Sequence, residues 1–224
     1  GASVKGEPYV ETIAINDDTL WSGSEHFTPN TKYFDTMQEV RKLLEKGKLS
    51  EANRLLEEKM SGRWSEGYLP MANLHLITGM GDDIRNCIAK EQTELQKIER
   101  YCRRLSLDTA IETVEWETDQ LLFKREYFVS KPQDELYIFC SVQNKNKPDE
   151  ASLDLAIAIE SPLLSESIEF DNELFLIGRA PDHTEPEYTK VQPQCVYYRA
   201  NQSNALRFVC GVRIAETDGT VGNS

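Results

Sequence analysis

Residues Ile111 to Asn144 read IETVEWETDQLLFKREYFVSKPQDELYIFCSVQN. The stretch holds three short runs, each rich in β-branched and aromatic residues, the composition that suits a pleated, half-buried surface. Glu117–Gln120 (ETDQ) and Ser130–Glu135 (SKPQDE) separate them, and such polar, proline-bearing clusters are turn signals. The same texture continues outward. LHLIT (Leu74–Thr78) and YCRRLSLDTA lie before it, and SLDLAIAIES, ELFLIGRA, CVYYRA and ALRFVCGVRIAE follow, spaced by QNKNKPDE, EFDNE and NQSN. Many strands at close spacing with almost no helix between them predict a mainly β protein of antiparallel sheets stacked face to face.

Near the N-terminus, Val10, Thr12 and Ala14 alternate with Tyr9, Glu11, Ile13 and Ile15, which predicts one more strand. The period then changes. Phe34, Met37, Val40, Leu43 and Leu44 recur at helical spacing and Gly47 supplies a stop. Leu49, Ala52, Leu55, Leu56 and Met60 mark a second helix with Ser50 as its expected N-cap. Together they predict a helical hairpin inserted at about residues 31–60. Ile84–Glu99 carries good helix formers on a thin apolar face and fits neither template. No internal repeat is evident, and Asn144–Glu150 reads as a loop within one domain, 1–224, rather than a linker.

Hydrophobic residues make up 39% of the 224, enough for a real core. Asp and Glu number 38 against 25 Lys and Arg, a formal net charge of −13 that repels phosphate backbones and anionic lipid. Nucleic acid and membrane surfaces are therefore not expected partners, and no apolar run approaches the ~20 residues of a bilayer span. The five cysteines, Cys87, Cys102, Cys140, Cys195 and Cys210, show no metal spacing. They are expected to be buried free thiols, which favours a reducing, cytoplasmic setting. The opening GASVKGEPYVETIAIN and the closing ETDGTVGNS read as cuts within a longer protein that leave out its first and last strands. Exposed apolar surface at such cuts predicts that this chain dimerises; a monomer in sedimentation at high concentration would count against this.

Nucleophilic and metal chemistry find little support. The histidines are His26, His75 and His183, and none has a partner at ligand spacing. GxSxG, HExxH, GxGxxG and P-loop patterns are absent. Glu185 and Glu187 beside His183 read as a solvated acidic loop, so no metal or cofactor is expected. Glycoside hydrolysis needs two flanking carboxylates, but 38 acidic residues offer pairs everywhere and the sequence singles out none as catalytic.

Two loops stand out for recognition. Ile15–Gly23, INDDTLWSG, gathers Asn16, Asp17, Asp18 and Thr19 beside Trp21. Amides and carboxylates bond sugar hydroxyls while an aromatic face covers the C–H patch; equally, this is a turn whose Trp packs on the sheet. Gly178–His183, GRAPDH, gathers Arg179, Asp182 and His183 at a proline-stiffened turn. It reads either as a clamp for a polar ligand or a partner loop, or as an Arg179–Asp182 pair holding the turn.

These segments, in order, carry a resemblance. INDDTLWSG is followed by VRKLLEKGKLSEANRLLEEKM (Val40–Met60), YLPMANLHL (Tyr68–Leu76), YCRRLSLDTAIETVEW, FKREYFVSKPQDELYIF, a SPL at Ser161–Leu163, and GRAPDH. The series resembles the N-terminal, glycosyl hydrolase 65-like domain of glycoside hydrolase family 95, the inverting α-L-fucosidase type. The likeness covers essentially the whole chain. Met71-Ala72-Asn73 departs from the family's Leu-Gly-Asp, Ser106 replaces an acidic residue, and Asn86–Arg100 is longer and more charged.

The resemblance implies a galactose-mutarotase-like β-super-sandwich with a short inserted helical hairpin, ahead of an (α/α)6 barrel that holds the catalytic groups. It places no catalytic residue in this chain. It implies that Asn16, Asp18, Trp21, Arg179, Asp182 and His183 edge the pocket for an oligosaccharide or glycoconjugate substrate of the full-length enzyme, or meet the barrel. The alternative is a stand-alone carbohydrate-binding or scaffold module.

Overall fold

The three runs of the opening stretch form a meander. Strands β5 (Ile111–Glu117), β6 (Leu121–Ser130) and β7 (Glu135–Asn144) pair antiparallel in sequence order, with β4 (Arg100–Ser106) on the other side of β5. The computed structural model describes residues 1–23, 33–60, 66–79, 97–171, 173–185, 195–199 and 204–222. The β6–β7 turn places Asp134 at φ 54°, a left-handed angle that Asp tolerates because its short side chain bonds locally.

A second four-stranded sheet has the order β1 (Ala2–Gly6), β2 (Val10–Ile15), β3 (Ala72–Thr78), β8 (Leu155–Glu160), again antiparallel. Between the two sheets the inward residues meet. Tyr9 meets Trp116 and Phe123 edge-on at 6.3 and 6.4 Å, and Trp116 stacks on Phe123 at 4.7 Å, the two being direct cross-strand partners. Ile13, Leu74, Leu76 and Val114 complete this core, while Ile77, also buried, lies on the opposite face of β3. A third sheet has the order β13 (Arg207–Arg213), β10 (Glu173–Arg179), β9 (Leu164–Phe170). The mainly β, antiparallel architecture is the one the turn-punctuated runs predict.

One inward position is a carboxylate. Glu11 is fully buried on β2 and accepts from Arg103 Nη2 at 2.6 Å, Arg125 Nη1 at 3.4 Å and Tyr127 Oη at 3.2 Å. Arg125 donates its other Nη to Thr78 Oγ1 at 2.6 Å and the Pro8 carbonyl at 2.9 Å, and lies 4.6 Å from the Trp116 ring centre. Every charge has partners, as a buried ionic group requires. Burial pushes the Tyr127 hydroxyl well above the usual tyrosine range, so it stays a donor to the carboxylate.

By its contacts the chain divides into two compact units. The sheets above belong to the first (1–19, 70–178, 207–224). The second (20–69, 179–206) holds helices α1 (Tyr33–Glu45) and α2 (Leu49–Lys59) and a two-stranded ladder of β11 (His183–Thr184) and β12 (Val196–Tyr197). Gly47 ends α1 as expected: at φ 70° its N–H bonds Leu44 O while the Lys48 N–H bonds Leu43 O, a Schellman closure.

Ser50 is not the N-cap. The Schellman turn delivers the chain directly into α2 at Leu49, so Lys48 occupies the cap without a side-chain cap bond and Ser50 falls in the first turn. The expected apolar stripe is also only partly buried: Val40 and Ala52 are covered, whereas Phe34 is 72% and Leu49 64% exposed.

The four described cysteines are free. Cys140 and Cys210 are half-buried and burial raises their thiol pKa values, but Cys102 is exposed because its register position faces outward on β4. Cys87 and most of Ile84–Glu99 lie outside the described residues, as do His26 and Glu187. Among the described residues no helix is long and apolar enough to cross a membrane.

Candidate functional site

The two loops singled out from sequence meet in the second unit, although more than 150 residues separate them. Leu20–Gly23 pairs with Gly67–Leu69: Ser22 N–H bonds Gly67 O at 2.9 Å, Leu69 N–H bonds Leu20 O at 3.0 Å, and Trp21 bridges Tyr68. Gly23 N–H then bonds the Pro181 carbonyl of GRAPDH at 2.9 Å.

The junction is organised by Glu66. Its Oε2 accepts from Ser22 Oγ at 2.5 Å and from the Thr184 N–H at 3.1 Å, and its Oε1 faces His183 Nδ1 at 2.6 Å. Ser22 Oγ also lies 2.7 Å from Thr184 Oγ1 and accepts the Gly67 N–H at 2.9 Å. Gly23, at φ 80°, has no room for a side chain, because a Cβ there would come within 2.8 Å of the Glu66 carboxyl carbon.

His183 is held on both ring nitrogens, by Glu66 and by Glu185 Oε1 at 3.1 Å from Nε2, and stacks on Tyr197 at 6.0 Å. The bond to Glu66 raises its pKa; partial burial opposes this, and the bond to Glu185 adds to the rise. For Glu66, burial pulls the pKa upward, but the bonds from Ser22, His183 and the Thr184 N–H outweigh it and hold the carboxyl below its usual range. Both shifts favour the carboxylate–imidazolium pairing, and the group is a carboxylate–histidine brace. With both nitrogens facing carboxylates the ring is a donor, and Ser22 leans on the carboxylate rather than on the imidazole, so the cluster lacks the arrangement of an activated nucleophile.

Arg179 and Asp182 take the turn-holding role. Arg179 Nη1 lies 3.4 Å from Asp182 Oδ2, which also accepts the Arg199 N–H at 2.7 Å, while Arg179 Nη2 donates to Arg199 O at 2.9 Å. The guanidinium covers the Tyr198 ring at 5.2 Å. Trp21, in contrast, is 45% exposed and tilted against the 47%-exposed Tyr68, ring centres 5.5 Å apart.

A family model for the glycosyl hydrolase family 65 N-terminal domain matches residues 1–224. The chain belongs to this family. It is also similar to Alpha-L-fucosidase 2 of Arabidopsis thaliana, 24% identical over 219 residues, which cover 98% of this chain and 24% of the plant protein. The chain thus spans about a quarter of that relative's length.

Of the six residues proposed from sequence in this family 65 N-terminal domain, Trp21, Arg179, Asp182 and His183 belong to the second unit, and Asn16 and Asp18 to the first. The Asn16 backbone closes the β1–β2 ladder against Gly1. The local turn is made by Asp17, whose Oδ1 accepts from the Thr19 N–H at 2.8 Å. Sequence reasoning missed Glu66, Ser22 and Tyr68. No spacing rule could supply Glu66, which lies 117 residues from His183. Among the described residues no cluster of His, Cys, Asp and Glu could hold a metal ion. His75 is a buried strand residue, between Thr12 Oγ1 at 3.1 Å and Glu160 at 3.2 Å.

The brace makes a pH prediction. Because the folded pKa of His183 is raised, its stabilising contribution is complete below the ordinary histidine value of about 6.5 and is lost as pH rises through the folded value. An NMR titration should place the His183 midpoint above about 6.5, and Glu66→Gln should lower it. A wild-type midpoint at or below the ordinary value would remove the brace.

Proposed function

We propose that this chain is the N-terminal β-sandwich domain of a longer, inverting α-L-fucosidase of glycoside hydrolase family 95. In this reading it supports the downstream catalytic barrel, and its loops edge the sugar pocket through Asn16, Asp18, Trp21, Arg179, Asp182 and His183. One observation carries it: likeness to an α-L-fucosidase runs along 98% of this chain while accounting for 24% of that protein. The rest of that length is where the catalytic carboxylates belong, and this chain is inactive alone. The exposed Trp21–Tyr68 pair supports the edging role, since an aromatic face accepts the apolar side of a sugar. Arg179, Asp182 and His183 then act by holding the loops in place.

The test is hydrolysis of an aryl α-L-fucoside by the full-length gene product beside the 224-residue chain. Activity in the full-length protein alone is the expected result. There, Trp21→Ala should raise KM by about tenfold with a smaller change in kcat, the signature of lost substrate binding. A full-length protein inactive on α-L-fucosides would remove fucose as the substrate, and a gene ending at Ser224 would favour a stand-alone carbohydrate-binding or scaffold module.

A further inference from the structure

The β4–β7 sheet has an outer face that the brace and the buried charge network leave unused. Side chains two apart on a strand share a face, and the pairing register aligns them across all four strands. Cys102, Glu115, Lys124 and Ser141 form one rung, and Arg100, Glu117, Leu122 and Gln143 form the next, about 7 Å along the strands. Together they line a cleft of about 270 Å³.

Its chemistry is specific in three respects. Arg100 and Lys124 balance Glu115 and Glu117, so the cleft favours neither an anion nor a cation. Glu117 is already engaged by Arg100 at 3.5 Å and Lys145 at 3.2 Å, and Lys124 by Glu126 at 3.0 Å, which fixes the charged walls. Glu115, Ser141 and Gln143 make no side-chain hydrogen bond among the described residues. They leave acceptors, a hydroxyl and an amide facing the same space as the Leu122 side chain. By contrast, Glu66 and His183 have their polar atoms committed to one another and to their neighbours.

We propose that this cleft binds a neutral sugar ring. A polyol needs donors and acceptors together with one apolar contact, and this set supplies them. The volume lies just below the roughly 300–1,000 Å³ usual for ligand sites, which suits a single ring rather than a chain enclosed along its length. In the adjoining rungs Phe139, 57% exposed, and Tyr137 stack on Phe128 at 6.1 and 5.0 Å, an aromatic surface on which a second sugar unit can lie. The site involves none of the INDDTLWSG or GRAPDH residues, and it stands whether or not the longer protein cleaves fucosides.

The test is a protein-observed NMR titration of the 224-residue chain with methyl α-L-fucoside, methyl β-D-galactoside, methyl β-D-glucoside and glucose 6-phosphate. At least one neutral glycoside should shift the amides of Glu115, Lys124, Ser141 and Gln143. The exposed-site double variant Glu115→Ala/Gln143→Ala should weaken that binding by about tenfold or more, the equivalent of one good hydrogen bond. Ser141→Phe, which fills the cleft, should abolish it, and Lys48→Ala, on the exposed end of the helical hairpin, should leave it unchanged. The proposal is overturned if no neutral glycoside shifts these amides at tens of millimolar, if binding survives Ser141→Phe, or if the phosphate binds in preference.

Discussion

Glu11→Ala should lower the unfolding free energy by about 3–5 kcal/mol, because it strands two guanidinium groups between the sheets. Glu11 has no exposed surface, and Arg125 beside it has almost none. The two arginines reach the same carboxylate from opposite oxygens, so one truncation removes both ion pairs and the acceptor for Tyr127. Arg103 keeps Glu112 at 2.9 Å and sits nearer solvent, whereas among the described residues Arg125 keeps a hydroxyl, a carbonyl and the face of Trp116. The loss therefore falls chiefly on Arg125. Urea unfolding should show a lower midpoint with an unchanged slope. A loss below about 1 kcal/mol would mean that water enters and solvates Arg125, and that the ionic group is not dry. Replacing the group by well-packed apolar side chains of equal volume should cost far less than Glu11→Ala, since a buried ion pair roughly offsets its own desolvation.

Trp116→Ala should cost a similar amount, about 3–5 kcal/mol, through a different cause. The side chain is 2% exposed, stacked on Phe123, edge-on to Tyr9 and under Arg125. Its removal leaves a cavity walled by rings that strand pairing holds in place, so little collapse is available to fill it. Trp116→Phe keeps a stacking partner for Phe123 and should cost less than half as much. Because Trp116 also covers Arg125, the Glu11→Ala/Trp116→Ala double variant should deviate from additivity by about 0.5–3 kcal/mol. Additivity within a few tenths of a kcal/mol would show that the aromatic cluster and the ionic group act independently.

How far each feature was legible in the sequence follows from how local its cause is. The β5–β7 meander and the Gly47 stop rest on residues within a few positions of one another, and they are where the pattern places them. Strands β1 and β9 were missed because ASVKG and LSESIEF are polar and largely exposed at sheet edges, so no apolar alternation marks them. Glu11 was half legible. Its place on the Tyr9–Ile13 side of the alternation already set a carboxylate on an apolar face, but its partners lie 92 and 114 residues away and nothing local names them.

For the candidate site, composition identified INDDTLWSG and GRAPDH as loops rich in hydrogen-bonding groups and left the role of each open. Arg179 and Asp182 then proved to be a turn-holding pair, a role their spacing of three residues could suggest. The amino-acid order by itself determined the strands other than polar edge strands such as β1 and β9, the helical hairpin and the family. Only the tertiary structure decided that the two loops meet, that Glu66 joins them and that Cys102, Glu115, Lys124 and Ser141 share one rung. Strand register and loop closure bring together groups from about ten to more than a hundred residues apart, and those contacts leave no periodic trace along the chain.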